Sequence, residues 1–156
     1  MSSGSLSYQP EWVLPAMVRD LRAFVGSTAW EELARQWTRA QRATDALGFT
    51  PEVVGSHWSR TVQIDVVAIN WQTHDILLGE CKWGADAVDR KTVRELIDKA
   101  PLVLADLPNA GANWHLHYAL FARGGATPAA RKELTAHNGI VVDLVRLYDD
   151  LTAAAA

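Results

Sequence analysis

This chain has little of what several protein classes depend on. Its single cysteine, Cys81, excludes an internal disulfide and suits a reducing compartment. No stretch approaches the roughly 18 consecutive apolar residues of a membrane-spanning helix. The opening Met1-Ser2-Ser3-Gly4-Ser5 does not read as a signal peptide. The expectation is a cytoplasmic protein without a membrane partner. Positive charge is not in excess either: 15 Lys and Arg against 18 Asp and Glu give a formal charge of −3. Bulk charge therefore cannot hold nucleic acid, and any such contact must come from a local basic face. There is no Gly-x-x-x-x-Gly-Lys loop, so the sequence lacks the phosphate cradle of that ATPase type. His115 and His117 alternate on an expected strand and share a face, but no third imidazole or thiolate stands at zinc-ligand spacing.

What is present is an ordinary globular composition, 49% hydrophobic and 21% charged over 156 residues, enough for one domain with a substantial core. Residues 1–9 are Ser-rich and expected to be disordered, 10–151 form the domain, and 152–156 are expected to fray. Pro15 suits the first turn of a helix running to Val25 and stopping at Gly26. A second helix is expected from Ser27 or Thr28 to about Leu47, with Trp30, Leu33, Ala34 and Trp37 at helical spacing and Gly48 closing it. Strands are expected near 51–57, 61–69 and 76–83, then a helix near 86–105 that Pro101 kinks or divides. A strand at 114–122, a helix opened by Thr127-Pro128, a short strand at 139–144 and an amphipathic turn around Leu147-Tyr148-Leu151 complete the order. The result is an α/β chain, α-α-β-β-β-α-β-α-β, with a mixed central sheet flanked by helices.

The chemistry concentrates in one expected hairpin. Thr61 to Ile69 is apolar and β-branched except for Asp65, its one ionised residue. The polar turn Asn70 to Asp75 leads to Ile76-Leu77-Leu78-Gly79-Glu80-Cys81-Lys82-Trp83. If Asn70 lies opposite Asp75, simple alternation places Asp65 opposite Glu80, with Cβ atoms roughly 4.5–5.5 Å apart on one face. Lys82 then joins them, and Cys81 points the other way. Two carboxylates in an apolar sheet need a shared proton, a cation or a metal ion. Oxygen ligands suit a hard cation such as Mg²⁺ or Mn²⁺.

These residues resemble the PD-(D/E)XK nuclease-like superfamily, whose signature is an acid on one strand and Glu-x-Lys on the next. More narrowly, the chain is similar to the domain of unknown function carried at the C-terminus of many prokaryotic AAA-type ATPases. The resemblance lies in Phe24 to Leu33, Gln63 to Ala68 and Leu78 to Trp83, and spreads over residues 15–145. It implies a restriction-endonuclease-like fold and metal-dependent DNA phosphodiester hydrolysis, with DNA and an AAA-type ATPase domain as partners. It implies metal ligands Glu31, Asp65 and Glu80 and a catalytic Lys82. Ile64 stands where the superfamily signature has proline.

Glu31 has a second reading as the far end of a capping box begun by Thr28, and Glu32 is the neighbouring alternative carboxylate. Arg60, Arg90, Lys91 and Arg94 are the candidate DNA contacts, the last three because their helix follows Lys82. Arg35, Arg39 and Arg42 read rather as a solvated face. Trp58 and Trp83 can border a substrate cleft. The rival functional reading is a non-catalytic module that keeps the fold and binds DNA or a partner.

Overall fold

The computed structural model describes residues 26–108 and 113–155. The expected helix from Pro15 to Val25 and the expected disorder of residues 1–9 lie outside them. Helix α1 spans Gly26–Ala40, and a short 3₁₀ turn, Gln41–Ala43, follows. Strands β1 (Val53–Trp58), β2 (Gln63–Asn70) and β3 (Asp75–Lys82) come next, then helices α2 (Arg90–Asp98) and α3 (Ala100–Asp106). Strand β4 (His115–Ala122), helix α4 (Pro128–Ala136), strand β5 (Gly139–Val142) and helix α5 (Leu144–Ala155) complete the order.

The five strands lie side by side in chain order. β1 to β3 form an antiparallel meander, while β4 and β5 run parallel to β3. This is the expected mixed sheet flanked by helices. On one face Trp30, Ala34 and Trp37 of α1 and Leu147 of α5 pack against Val66, Ala68, Leu77, Ala119 and Phe121. On the other, Val93, Leu96 and Val103 of α2 and α3 and Leu134 of α4 cover Ile64, Val67, Ile76, Leu78 and Leu120. Burying both faces explains why β2 to β4 are nearly continuous apolar runs instead of alternating ones.

Several local expectations are corrected. The helix after β3 begins at Arg90, not near 86, because Asp89 is its N-cap and accepts the Thr92 amide. Pro101 does divide the helical stretch, sitting in the first turn of α3 after the junction at Lys99. Thr127 caps α4 as expected, accepting from the Ala130 amide. The last element is more than a turn: α5 runs to Ala155, so Ala153–Ala155 lie within its helical bounds. Alanine has the highest helix propensity, and the Trp37 indole fastens the helix by donating to Asp150 at 2.9 Å.

Candidate active site

The hairpin has the register that its turn chemistry predicts. Asn70 pairs with Asp75, and the ladder runs through Val67–Leu78 to Val66–Gly79. The next rung would be Asp65–Glu80, but the ladder ends one residue short of it. The cause lies on the other side of β2. Gly55 pairs with Val67 and His57 with Ile64, so one residue of β1, Ser56, faces two of β2, Asp65 and Val66. That is a β-bulge, and bulges bend a strand and re-aim a side chain. It also resets the alternation. Ile64 is buried against the α2–α4 layer, and so is Val67, three residues on. Val66 and Ala68 are buried against α1.

Asp65 sits at the break. Its Oδ2 accepts the backbone N–H of Cys81 at 2.9 Å, which turns the carboxylate into the gap between β2 and β3. Simple alternation, which set Asp65 directly beside Glu80 on a flat face, is corrected by this one extra residue. The Asp65 carbonyl accepts from Arg35 Nη1 at 2.9 Å, and the Gln63 carbonyl accepts from Lys99 Nζ at 3.1 Å. Side chains from helices on opposite faces thus bind the backbone of β2 where the hairpin opens.

Glu80 and Lys82 follow Ile76 and Leu78 by twos and face the α2–α3 layer. There they line an open groove of about 420 Å³ with Thr92, Glu95, Leu96, Asp98 and Lys99. Lys82 Nζ lies 3.5 Å from Glu80 Oε2, and Lys99 Nζ lies 3.5 Å from Glu80 Oε1. Gly79, just before, has to be glycine. A Cβ there would come within 2.9 Å of the Phe121 ring and 3.0 Å of Val66 Cβ. Cys81 points to the α1 layer, where burial and then the charges of Asp65, Glu31 and Glu80 push its thiol strongly up and keep it protonated.

Glu31 reaches the same place from α1. Burial raises its pKa, the Asp65 charge raises it further, and Glu80 adds to this against the opposing effect of Arg35. Glu32 is turned away, onto Arg35 at 3.2 Å and Arg39 at 3.6 Å. Between the two, Glu31 is the carboxylate that senses the cluster. The capping-box alternative falls, because Thr28 lies inside α1 instead of before it.

The structure therefore brings Glu31, Asp65, Glu80 and Lys82 to one end of the sheet, and adds two residues that sequence reasoning left out of the site. Lys99 stands three residues, one helical turn, beyond Leu96, which anchors α2, and that spacing was its available signal. Arg35 was read as part of a solvated face, and its reach to a strand carbonyl has no sequence signature. Of the four expected DNA contacts, Arg90, Lys91 and Arg94 share α2, and Arg60 follows β1. Arg90 is paired with Glu133 of α4 at 2.8 Å, and the charge of Arg94 acts on the same carboxylate. Lys91 and Arg60 are exposed. Trp58 is 78% exposed at the end of β1. Trp83 instead packs on Trp30 with the Arg123 guanidinium 4.5 Å above its ring.

Three carboxylates suit a hard cation chemically. Their present orientation does not: among the described residues no three His, Cys, Asp or Glu side chains are set to hold a metal ion. Glu80 is held by two lysines and Asp65 by an amide. No helix among the described residues is long and apolar enough to cross a membrane.

The chain belongs to the DUF234 family, described as "Archaea bacterial proteins of unknown function", whose pattern matches residues 5–96, more than half of its length. No curated protein matches the sequence. Among solved structures, a repair endonuclease from Pyrococcus abyssi is similar with a TM-score of 0.46 and 18% identity. That similarity covers 71% of this chain and 46% of the endonuclease, so the chain spans less than half of that protein's length.

Proposed function

We propose that the domain hydrolyses DNA phosphodiester bonds with the help of a divalent cation, Mg²⁺ or Mn²⁺. The observation that supports this reading is the gathering of Glu31, Asp65 and Glu80 at the open end of the hairpin, with the Lys82 ammonium against Glu80. Buried or half-buried carboxylates set close together bring no stability of their own, and such clusters mark functional sites. The groove carries three carboxylates, Glu80, Glu95 and Asp98, against two ammonium groups, Lys82 and Lys99. That balance repels a phosphate backbone unless a further cation enters.

Asp65, Glu80 and Glu31 would hold the ion after rotating off their present partners. The ion would supply Lewis-acid polarisation of a phosphoryl oxygen and a more acidic bound water. Lys82 is nearly half exposed at the mouth of the groove, with its three N–H donors free to turn outward. It orients the attacking water and offsets negative charge as it builds on the phosphoryl oxygens. Its ammonium has no lone pair, so it acts beside the carboxylates and not as a ligand. Trp58, on the strand that pairs with β2, offers an indole face to a base, and the exposed Arg60 two residues on offers a guanidinium to a phosphate. An AAA-type ATPase is the proposed partner.

The test is cleavage of linear, nicked, branched and single-stranded DNA with Mg²⁺ or Mn²⁺, with and without that ATPase. Wild-type protein is expected to cut at least one form. Lys82→Ala is expected to lose about 10²- to 10³-fold in rate while Mn²⁺ still binds. DNA binding without cleavage of any form would instead favour the non-catalytic module.

A further inference from the structure

Glu80 is the most heavily compensated carboxylate of the site, and its two lysines are not equivalent. Lys82 sits two residues along the same strand, touches Glu80 Oε2, and is 46% exposed. Lys99 comes from the junction of α2 and α3 and is less exposed, at 34%. Its backbone is fixed on both sides: its N–H donates to the Leu96 carbonyl, and its own carbonyl accepts from Val103. Its side chain has two acceptors, Glu80 Oε1 at 3.5 Å and the Gln63 carbonyl at 3.1 Å. If Glu80 is taken from it, Lys99 keeps a hydrogen bond to β2. If Glu80 is taken from Lys82, that ammonium is left to solvent or substrate.

Resting on the nuclease reading above, we propose that Lys99 is the resident counter-ion of Glu80, which a divalent cation must displace, and that the Gln63 carbonyl retains the displaced ammonium. A carboxylate oxygen cannot serve an ammonium and a doubly charged ion at full strength together, since the two cations repel each other. As it stands, Glu80 is compensated by Lys82 and Lys99. Lys99 is thus a positioning residue. It keeps Glu80 oriented before the ion arrives, and stays tethered clear of it afterwards.

The variants Lys99→Gln and Lys99→Arg in the full chain separate this role from that of a strut. Both are followed by Mn²⁺ calorimetry and by thermal unfolding with and without Mn²⁺. Lys99→Gln removes the competitor, so it is expected to bind Mn²⁺ about 2- to 5-fold more tightly, the range of a partly exposed ion pair. Its melting temperature is expected to fall without Mn²⁺ and to return to the wild-type value at saturation. Lys99→Arg holds a carboxylate more firmly through its planar fork and is expected to bind Mn²⁺ more weakly than wild type. If Lys99→Gln does not fold, the sign of the Lys99→Arg effect decides alone. A strut predicts the opposite pattern, with weaker binding in Lys99→Gln, unchanged binding in Lys99→Arg and a stability loss that Mn²⁺ does not repair. That pattern overturns the proposal while leaving the nuclease reading intact. If neither wild type nor Lys99→Gln binds Mn²⁺, the metal-dependent reading falls and the exchange falls with it.

Discussion

Strand β3 begins on one carboxylate, Asp75, and carries another, Glu80, near its far end, and the two are treated in opposite ways. Asp75, at the turn end, is buried. Burial alone would raise its pKa, yet hydrogen bonds from Thr73 and His117 and the charges of His117 and His115 outweigh it and hold the carboxyl below its ordinary range. His117 donates to it at 2.8 Å, and the Phe49 ring packs 4.7 Å from the imidazole. At the other end Glu80 shares its surroundings with Asp65 and Glu31, and Glu31 is pushed up instead of down. One end of the strand surrounds a single charge with donors. The other collects like charges, and its two lysines stand on Glu80 while Glu31 is left among carboxylates. The first arrangement stabilises the fold, and the second is sustained by the rest of it. That difference, more than a count of acidic residues, is what supports the proposed site at the open end.

The largest effect that tests this contrast is expected at the turn end. Asp75→Ala leaves His117 and Thr73 without their acceptor, and is expected to cost about 3 kcal/mol, as when one partner of a buried pair is removed. The sign with pH follows from the lowered pKa. Asp75 contributes its stability above the unfolded value, near 3.8, and loses it as pH falls through the folded one. The deficit of Asp75→Ala measured by denaturant unfolding should therefore be full at pH 7 and shrink in acid. A deficit that grows as pH falls would break the comparison.

A smaller loss is expected where β3 passes from one regime to the other. Gly79→Ala places a methyl group against Phe121 and Val66, and is expected to cost about 2 kcal/mol by overpacking. Because Gly79 is adjacent to Glu80, the same shift should weaken Mn²⁺ binding. Unchanged stability would mean that Phe121 yields freely and that β3 is not fixed at this point.

Most of the fold was legible because it depends on local signals. The Asn70–Asp75 turn set the hairpin register, Thr127-Pro128 opened α4, and the apolar runs of β2 to β4 announced a sheet covered on both faces. The candidate site was legible as a set of residues that come together, Glu31, Asp65, Glu80 and Lys82, but not as an arrangement. Period-two reasoning assumes an unbroken ladder, and nothing in Gln63-Ile64-Asp65-Val66 signals that β2 gains a residue against β1 there. That bulge is a property of the pair of strands. Lys99 and Arg35 reach the site across 36 and 30 residues of sequence to bind strand carbonyls, and backbone acceptors carry no side-chain signature. The pairing of Arg90 was hidden for a similar reason: its partner, Glu133, lies on a helix 43 residues away.

The smallest expected effect has the opposite sign and tests the open end directly. Glu31 has its pKa raised above 4.5 by burial and by the Asp65 and Glu80 charges. In the window between its unfolded and folded values, the native state holds more protons than the unfolded one, so stability falls as pH rises through that window. At pH 7 the full penalty of the ionised group is present. Glu31→Gln removes it and is expected to stabilise the metal-free protein at pH 7 by less than about 1 kcal/mol, screened by solvent at this half-buried position. The gain should vanish below about pH 4.5, where Glu31 is protonated in both states. With Mn²⁺ the order should reverse, because the variant has lost a ligand and gains less from the ion. Thermal unfolding at pH 7 and pH 4, each with and without Mn²⁺, gives the four measurements needed. A Glu31→Gln variant that is less stable at pH 7 without metal would show that Glu31 serves the fold as Asp75 does, and the two ends of β3 would no longer differ in kind.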